Sequence, residues 1–285
     1  MSLPRVAIVG PGLLGGSIAL AVRARGLGSV AIWARRADAT AAALRDGFAD
    51  VASTDLREVV SEADVVVFCT PIGAMPALAR EIAPLVKPGA LITDVGSAKG
   101  GLVAELAPIF RGRGRFVGSH PMAGSEQTGM RAARADLFEG AVCIVTPEAA
   151  SQPEAVAAIG GFWASLGCQL RHLGPVEHDE VVALISHLPH LLAATLVNTV
   201  AASHSAALDF SGPGFRDTTR VAAGAPDMWA GILTANRDAV RKSVDAMIES
   251  LREIANILAR DAGDPALLEF LKLAKHRRDT LRQPT

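Results

Sequence analysis

Short apolar runs rich in β-branched residues alternate with helical segments through the first part of the chain. This alternation predicts a parallel β-sheet with helices on both faces. Ligands of such sheets bind beyond the carboxyl ends of the strands, so we expect the residues that follow each strand to line one crevice. The predicted strands are 5–10, 29–33, 63–69, 90–94, 116–118, 141–145 and 168–172.

After about residue 175 the strand pattern stops and long helical patterns begin. One apolar stripe predicts a helix of roughly 25 residues, because its members recur alternately four and three positions apart. The stripe needs a partner, which is either a neighbouring helix of the same subunit or the same helix of a second subunit. We therefore expect an α/β domain at 1–175 and an all-helical domain at 176–285. The stripe consists of Val240, Val244, Met247, Leu251, Ile254 and Leu258.

Composition narrows the classes of partner. Half of the 285 residues are apolar and the formal net charge is -1. Nucleic-acid and membrane partners call for a basic excess that this chain lacks, so we expect a small-molecule substrate. The segment 181–202 is apolar, but polar residues near its middle predict a buried helix and not a membrane span. Three cysteines without a CxxC pair, and a start without the features of a signal peptide, predict a cytoplasmic protein.

A glycine-rich loop follows the first predicted strand and opens a helix. In Gly10-Pro11-Gly12-Leu13-Leu14-Gly15 the first glycine permits a tight turn, the second lets the backbone approach a pyrophosphate, and the third packs helix on strand. This position at the head of a βαβ unit predicts a Rossmann-type dinucleotide site; glycines that serve only a tight turn are the alternative. The predicted cofactor-binding residues are Gly10, Gly12, Leu13, Leu14 and Gly15, with Thr70 and Pro71 after the third predicted strand.

The end of the second predicted strand bears on the choice of cofactor. An NAD site usually places an acidic residue there to bind the ribose 2'-hydroxyl. This chain has Ala34, Arg35 and Arg36 instead, so no carboxylate repels a 2'-phosphate and two guanidinium groups are available to bind it. NADP is therefore favoured. NAD remains possible, because Asp38 is close and either arginine could simply be solvated.

Two later strand ends are followed by residues suited to chemistry. Ser97 and Lys99 follow the strand that ends at Asp94, and His120 follows Gly118. A neutral His120 beside Ser97 could accept a proton from a substrate hydroxyl, since imidazole titrates near working pH. A purely structural His-Pro turn is the alternative.

Four segments, taken together, resemble the prephenate and arogenate dehydrogenases of tyrosine biosynthesis. The runs at 118–126 and 214–220 are the specific part of the resemblance, because few other dehydrogenases carry either, whereas the glycine loop is common to all Rossmann enzymes. The likeness spans nearly the whole chain. The segments read Asp-Val-Gly-Ser-Ala-Lys (94–99), Gly-Ser-His-Pro-Met-Ala-Gly-Ser-Glu (118–126), Ser-His-Leu-Pro-His (186–190) and Gly-Phe-Arg-Asp-Thr-Thr-Arg (214–220).

This resemblance implies an oxidative decarboxylation, in which a ring carbinol passes hydride to the nicotinamide while carbon dioxide leaves. It implies that His120 is the general base, that Ser97 orients the ring hydroxyl and that Arg220 clamps a substrate carboxylate. His190 would lie at the side-chain end of the substrate. The other substrate-binding candidates are His187, Ser125, Glu126, Lys99 and Asp217, of which Lys99 and Glu126 could equally be surface or capping charges.

Several alternatives stay open at this point. The substrate is prephenate or arogenate, and arogenate-type enzymes more often use NADP. A β-hydroxyacid or 6-phosphogluconate type dehydrogenase would share the domain plan, including a helical C-terminal domain of that type. A non-catalytic NADP-binding redox sensor is the alternative from another class. We expect a homodimer through the helical domain and no metal site, since His187 and His190 have no evident third ligand. The remaining histidines, His172, His178, His204 and His276, match no motif and are predicted to be structural.

Overall fold

The computed structural model describes residues 4–124, 127–260 and 264–281. Within these residues the first part of the chain forms a parallel sheet whose strands are β1 Arg5–Val9, β2 Ser29–Trp33, β3 Val51–Ser53, β4 Val65–Phe68, β5 Leu91–Asp94 and β6 Arg115–Phe116. Their order in the sheet is β3-β2-β1-β4-β5-β6, which reverses direction at β1. The crossover helices are α1 Leu13–Ala24, α2 Ala37–Arg45, α3 Leu56–Val60, α4 Met75–Ile82 and α5 Gly100–Phe110.

Both faces of the central strands β1, β2, β4 and β5 are buried, which explains why these strands read as continuous apolar runs. Successive side chains of β1 point to opposite faces, so Val6 and Ile8 join one hydrophobic core while Ala7 and Val9 join the other. The first core lies under α1 and the second under α3, α4 and α5. The carboxyl ends of β1, β4 and β5 consequently open onto one edge.

A second sheet begins where the prediction gave a single parallel strand at 116–118. In the structure β6 ends at Phe116, and a separate strand, β7 Gly118–Pro121, pairs antiparallel with β8 Val142–Thr146, which is parallel to β9 Gln169–His172. The helix between β8 and β9 is α6 Pro153–Ser165. The pattern missed β7 because its residues are polar; they are buried through hydrogen bonds, with Ser119 bonded to Asp94, Thr93 and Trp163. It also missed β3, which has only three residues.

From Pro175 onward the described residues form helices, and this confirms the predicted fold class. A single π turn, Ala183–His187, connects the first two of these helices. Short 3-10 helices follow at Ser205–Phe210 and Arg220–Ala223. The α-helices are α7 Pro175–Val182, α8 Leu188–Ser203, α9 Pro213–Thr219, α10 Pro226–Ala235, α11 Arg237–Leu258 and α12 Ala266–Asp279.

Two helices of the helical part carry apolar surface that bears on what surrounds the chain. The run from Pro175 to Ser203 has the length and hydropathy of a membrane span, but its most apolar stretch is only 33% buried in the single chain. The predicted buried helix at 181–202 is therefore buried only in part, with Leu184 and Ile185 more than half exposed. The run carries several of the crevice residues described below. The predicted stripe lies on α11, where Val240 is buried but Leu251 and Leu258 are more than half exposed. Part of this apolar face is therefore uncovered in a single chain.

Candidate active site

Three buried side chains form a hydrogen-bonded relay between β7 and α7. His120 Nδ1 lies 2.9 Å from His178 Nε2, and His178 Nδ1 lies 2.8 Å from Asp179 Oδ1. A carboxylate can only accept, so His178 carries its proton on Nδ1 and offers the Nε2 lone pair. His120 must then donate from Nδ1. The relay therefore leaves the lone pair of His120 on Nε2, in the form that can take a proton.

Asp179 anchors the relay at the start of α5. Its two carboxylate oxygens accept hydrogen bonds from the backbone N–H groups of Lys99 and Gly100, at 2.7 and 2.8 Å. Free N–H groups at a helix N-terminus favour a negative charge. Burial opposes ionisation, but the bonds from His178 and from these two N–H groups outweigh it and lower the pKa of Asp179. The carboxylate thus stays ionised and acceptor-only.

Lys99 lies under the crevice and does not line it. Its side chain is fully buried and its ammonium pairs with Asp94, which is also fully buried. Burial lowers the pKa of Lys99, and the carboxylate of Asp94 opposes this effect. Such a pair is costly to desolvate, and removing one member would leave an isolated buried charge. The sequence suggested a substrate contact or, alternatively, a surface or capping charge for Lys99. Its burial rules out a surface charge, and its side chain makes no capping hydrogen bond at the start of α5.

His120 is held neutral by its surroundings. Burial, the neighbouring His178, and the charge of Lys99 together keep the pKa of His120 well below its usual value. A neutral imidazole with a free Nε2 lone pair can act as a base, and the imidazolium formed by protonation would be stabilised by the hydrogen bond to His178 and the negative charge of Asp179.

Two histidines from the helical part share the crevice. His187 ends the π turn and is fully buried, and His190 lies one turn further along α8. The His190 ring stacks on Trp229 with 3.7 Å between ring centroids, while His187 meets the same indole edge-on at 6.2 Å. Ser97 is half-buried in the loop after β5, and its backbone contacts the His187 ring. The structure thus brings Ser97, His120, His187 and His190 into one region.

The remaining substrate candidates are more peripheral. Arg220 begins the 3-10 helix that packs on α8, and its side chain is exposed. Asp217 is exposed on α9. Ser125 and Glu126 lie outside the described residues.

The glycine loop has the shape that a dinucleotide requires. Gly10 has a φ of 111°, and a Cβ on Gly15 would lie 2.2 Å from the Gly10 carbonyl oxygen, so neither position accepts a side chain without strain. A Cβ on Gly12 would meet nothing within 4 Å, which leaves room for a ligand to approach the backbone. Leu13 and Leu14 begin α1 just beyond. Thr70, followed by Pro71, lies after β4, and its buried hydroxyl has no hydrogen-bond partner among the described residues.

The loop that follows β2 is exposed to solvent beyond its first residue, Ala34. Ala34 is buried, whereas Arg35 and Arg36 are exposed. Arg36 pairs with Asp38 at 3.2 Å, with about three quarters of each side chain exposed. A surface pair of this kind contributes little and is easily exchanged for another partner.

Family models match both parts of the chain. The model described as prephenate dehydrogenase, nucleotide-binding domain matches residues 18–172, and the model described as prephenate dehydrogenase, dimerization domain matches residues 174–273. The chain belongs to the prephenate dehydrogenase family. The resemblance drawn from the four sequence segments is confirmed, and the chain is an oxidoreductase of this family.

Individual relatives agree with this assignment. A cyclohexadienyl dehydrogenase of Zymomonas mobilis is 33% identical over 95% of this chain and 94% of its own length. The crystal structure of the A. aeolicus prephenate dehydrogenase, in complex with hydroxyphenyl propionate and NAD+, superposes with a TM-score of 0.91 at 30% identity, covering 98% of each chain. The structure of Synechocystis arogenate dehydrogenase gives a TM-score of 0.83 at 29% identity, covering 96% and 99%.

Sequence reasoning missed several residues of this prephenate dehydrogenase family site. His178 was expected to be structural, and Asp179, Trp229 and Asn236 were not singled out. The sequence signal for His178 and Asp179 was their adjacency, because a histidine paired with a carboxylate can form a buried relay. Its partner His120 is 58 positions away, and the pairing depends on the separate strand β7.

Proposed function

We propose that this member of the prephenate dehydrogenase family oxidatively decarboxylates prephenate to 4-hydroxyphenylpyruvate, with NADP as the favoured cofactor. The observation that carries the proposal is the relay that leaves a neutral His120 with its lone pair on Nε2. A non-catalytic redox sensor would need the glycine loop but would have no use for a buried base backed by His178 and Asp179.

His120 acts as the base in this proposal. Its Nε2 accepts the proton of the ring hydroxyl, while Nδ1 keeps its bond to His178 and Asp179 stabilises the charge that develops. The bound nicotinamide supplies the hydride acceptor, and the ring becomes aromatic as carbon dioxide leaves. Ser97 orients the hydroxyl by a hydrogen bond. The buried Lys99 acts from below, by disfavouring a permanent charge on His120.

The rest of the substrate is held from the helical part. Arg220 is assigned to a substrate carboxylate, because a guanidinium fork matches two oxygens. His190, backed by the indole of Trp229, is assigned to the side-chain end, with His187 beside it. Asp217 remains a more peripheral candidate, and we assign no direct contact to Lys99.

Arogenate is the second candidate substrate. It differs by an ammonium in place of a keto group, which calls for a nearby acceptor. Similarity to the Synechocystis arogenate dehydrogenase, at 29% identity, keeps this candidate in view.

NADP is favoured because Ala34 removes the usual carboxylate and both following arginines are exposed. Arg36 could exchange its surface pair with Asp38 for a 2'-phosphate. NAD is the alternative, and the A. aeolicus relative was crystallised with NAD+.

The chain is proposed to divide near residue 175 and to form a homodimer through its helical domain. The match to a dimerization-domain model over 174–273 and the uncovered apolar face of α11 support this.

Steady-state reduction of NADP and of NAD, with prephenate and then with arogenate, tests the proposal. We expect the highest kcat/KM for prephenate with NADP. A higher value with arogenate would change the substrate, and a higher value with NAD would change the cofactor. Absence of turnover with all four pairs, in a protein that still binds NADP, would refute the proposed activity.

A further inference from the structure

Asn236 bridges the relay of His120, His178 and Asp179 to the separate buried histidine His187. It lies between α10 and α11 and is only 5% exposed. Its Nδ2 lies 2.8 Å from the backbone carbonyl oxygen of Asp179 and 3.2 Å from His187 Nδ1. One amide group from the helical part therefore contacts both Asp179, which anchors the relay, and the buried His187.

The chemistry of this amide fixes the state of His187. A backbone carbonyl can only accept, so the atom of Asn236 that faces Asp179 is the NH2 group. The same NH2 group faces His187 Nδ1, which must then be the unprotonated nitrogen of the ring. Burial lowers the pKa of His187 to about 4, so the ring is neutral and its proton is on Nε2.

The proton on Nε2 lies in a place that a ligand could use. His187 Nε2 is buried and makes no well-formed hydrogen bond within the described residues. The Ser97 backbone is close enough to favour a proton on the ring. A buried N–H without a full partner is costly, so we expect an acceptor on the bound ligand to complete what the Ser97 backbone satisfies only in part.

We infer that Asn236 is a positioning residue: it holds His187 with its proton on Nε2, beside Ser97, and through the Asp179 carbonyl it steadies the relay behind His120. The catalytic part of this inference rests on the proposed function. The part that concerns the protonation state of His187 does not.

Nuclear magnetic resonance tests the protonation state directly. In protein labelled with 15N-histidine, long-range proton–nitrogen spectra distinguish the two ring nitrogens, and a His187→Gln variant identifies the resonances of His187. We expect Nδ1 without a proton and Nε2 with one. A proton on Nδ1 of His187 in the unmodified protein would overturn the inference, whatever the enzyme does.

The Asn236→Asp variant tests the consequence. An aspartate of the same shape can only accept, so His187 gains a proton on Nδ1. Activity is expected to fall about 10- to 100-fold near neutral pH, the range seen when a partner that orients a metal-bound histidine is removed.

The pH profile separates this from general damage. The titratable groups that act on His187 are Asp179 and His178 on α7, His190 on α8 and His120 on β7. In Asn236→Asp the new carboxylate raises the pKa of His187. At low pH the cation carries both protons, and as the pH rises Nε2 loses its proton first. The kcat/KM of the variant should therefore decline with rising pH.

The matched control is Asn198→Asp, which makes the same change at an exposed position on α8. It should keep the profile of the unmodified enzyme. An Asn236→Asp enzyme with unchanged kcat/KM and pH profile would refute the positioning role. If the unmodified protein turns over no substrate, the proposed function fails, and the spectra still decide the state of His187.

Discussion

Replacing His178 tests the relay behind the proposed base. The His178→Phe variant fills the same fully buried space but removes the acceptor for His120 Nδ1–H and the donor to Asp179. In the unmodified enzyme His120 becomes charged when it accepts a proton, so the bond to His178 that the variant lacks is a hydrogen bond from a charged group. Such bonds contribute about 1.5–3 kcal/mol, which corresponds to about 10- to 150-fold in rate.

The assay is kcat and kcat/KM with prephenate, accompanied by NADP affinity and the unfolding temperature. We expect kcat to fall within that range while NADP affinity is retained, because His178 lies away from the glycine loop. His178→Gln is the matched control, since its amide can still accept from His120 and donate to Asp179, and it should lose less. A folded His178→Phe enzyme with kcat close to that of the unmodified protein would refute the relay.

Three further outcomes are expected. Gly12→Val should fold normally but bind NADP at least about 10-fold more weakly, whereas Gly15→Ala should lose stability, because its Cβ would lie 2.2 Å from a loop carbonyl oxygen; calorimetry and thermal unfolding check both. Burial lowers the pKa of His187 to about 4 in the folded protein, whereas in the unfolded chain the same ring takes up a proton below about pH 6.5. Acidification therefore lowers the free energy of unfolding, by about 2 kcal/mol for this residue between about pH 7 and about pH 5. Urea unfolding at these two pH values should show a smaller loss in His187→Gln. Charges at Leu251 and Leu258, each changed to Glu, should produce a monomer by light scattering, and an unchanged mass would place the dimer contact elsewhere.

The parts of the fold that follow local rules could be predicted from the sequence. The central strands β1, β2, β4 and β5 of the first sheet are apolar runs buried on both faces, and the glycine loop is dictated by the contact between Gly15 and the Gly10 carbonyl. Strand β7 could not be predicted in this way. Its stability comes from hydrogen bonds to Asp94 and Trp163, which are distant in sequence.

The same distinction applies to the candidate site. Motifs pointed to His120, Ser97, His187 and His190, and the structure places these residues in one region. The groups that set their protonation are contributed by residues far along the chain, namely His178, Asp179 and Asn236. Lys99 illustrates the limit most clearly, because its motif suggested a substrate contact or a surface or capping charge, and nothing in the sequence indicated its buried pairing with Asp94.

The most direct test of the account is the chemical step in His120→Asn, measured by rapid mixing of enzyme, NADP and prephenate in a single turnover. Loss of general-base catalysis predicts a rate lower by about 100- to 10,000-fold, with the affinity for NADP unchanged. A single-turnover rate close to that of the unmodified enzyme would contradict the assignment of His120 as the base, and with it the role of the relay.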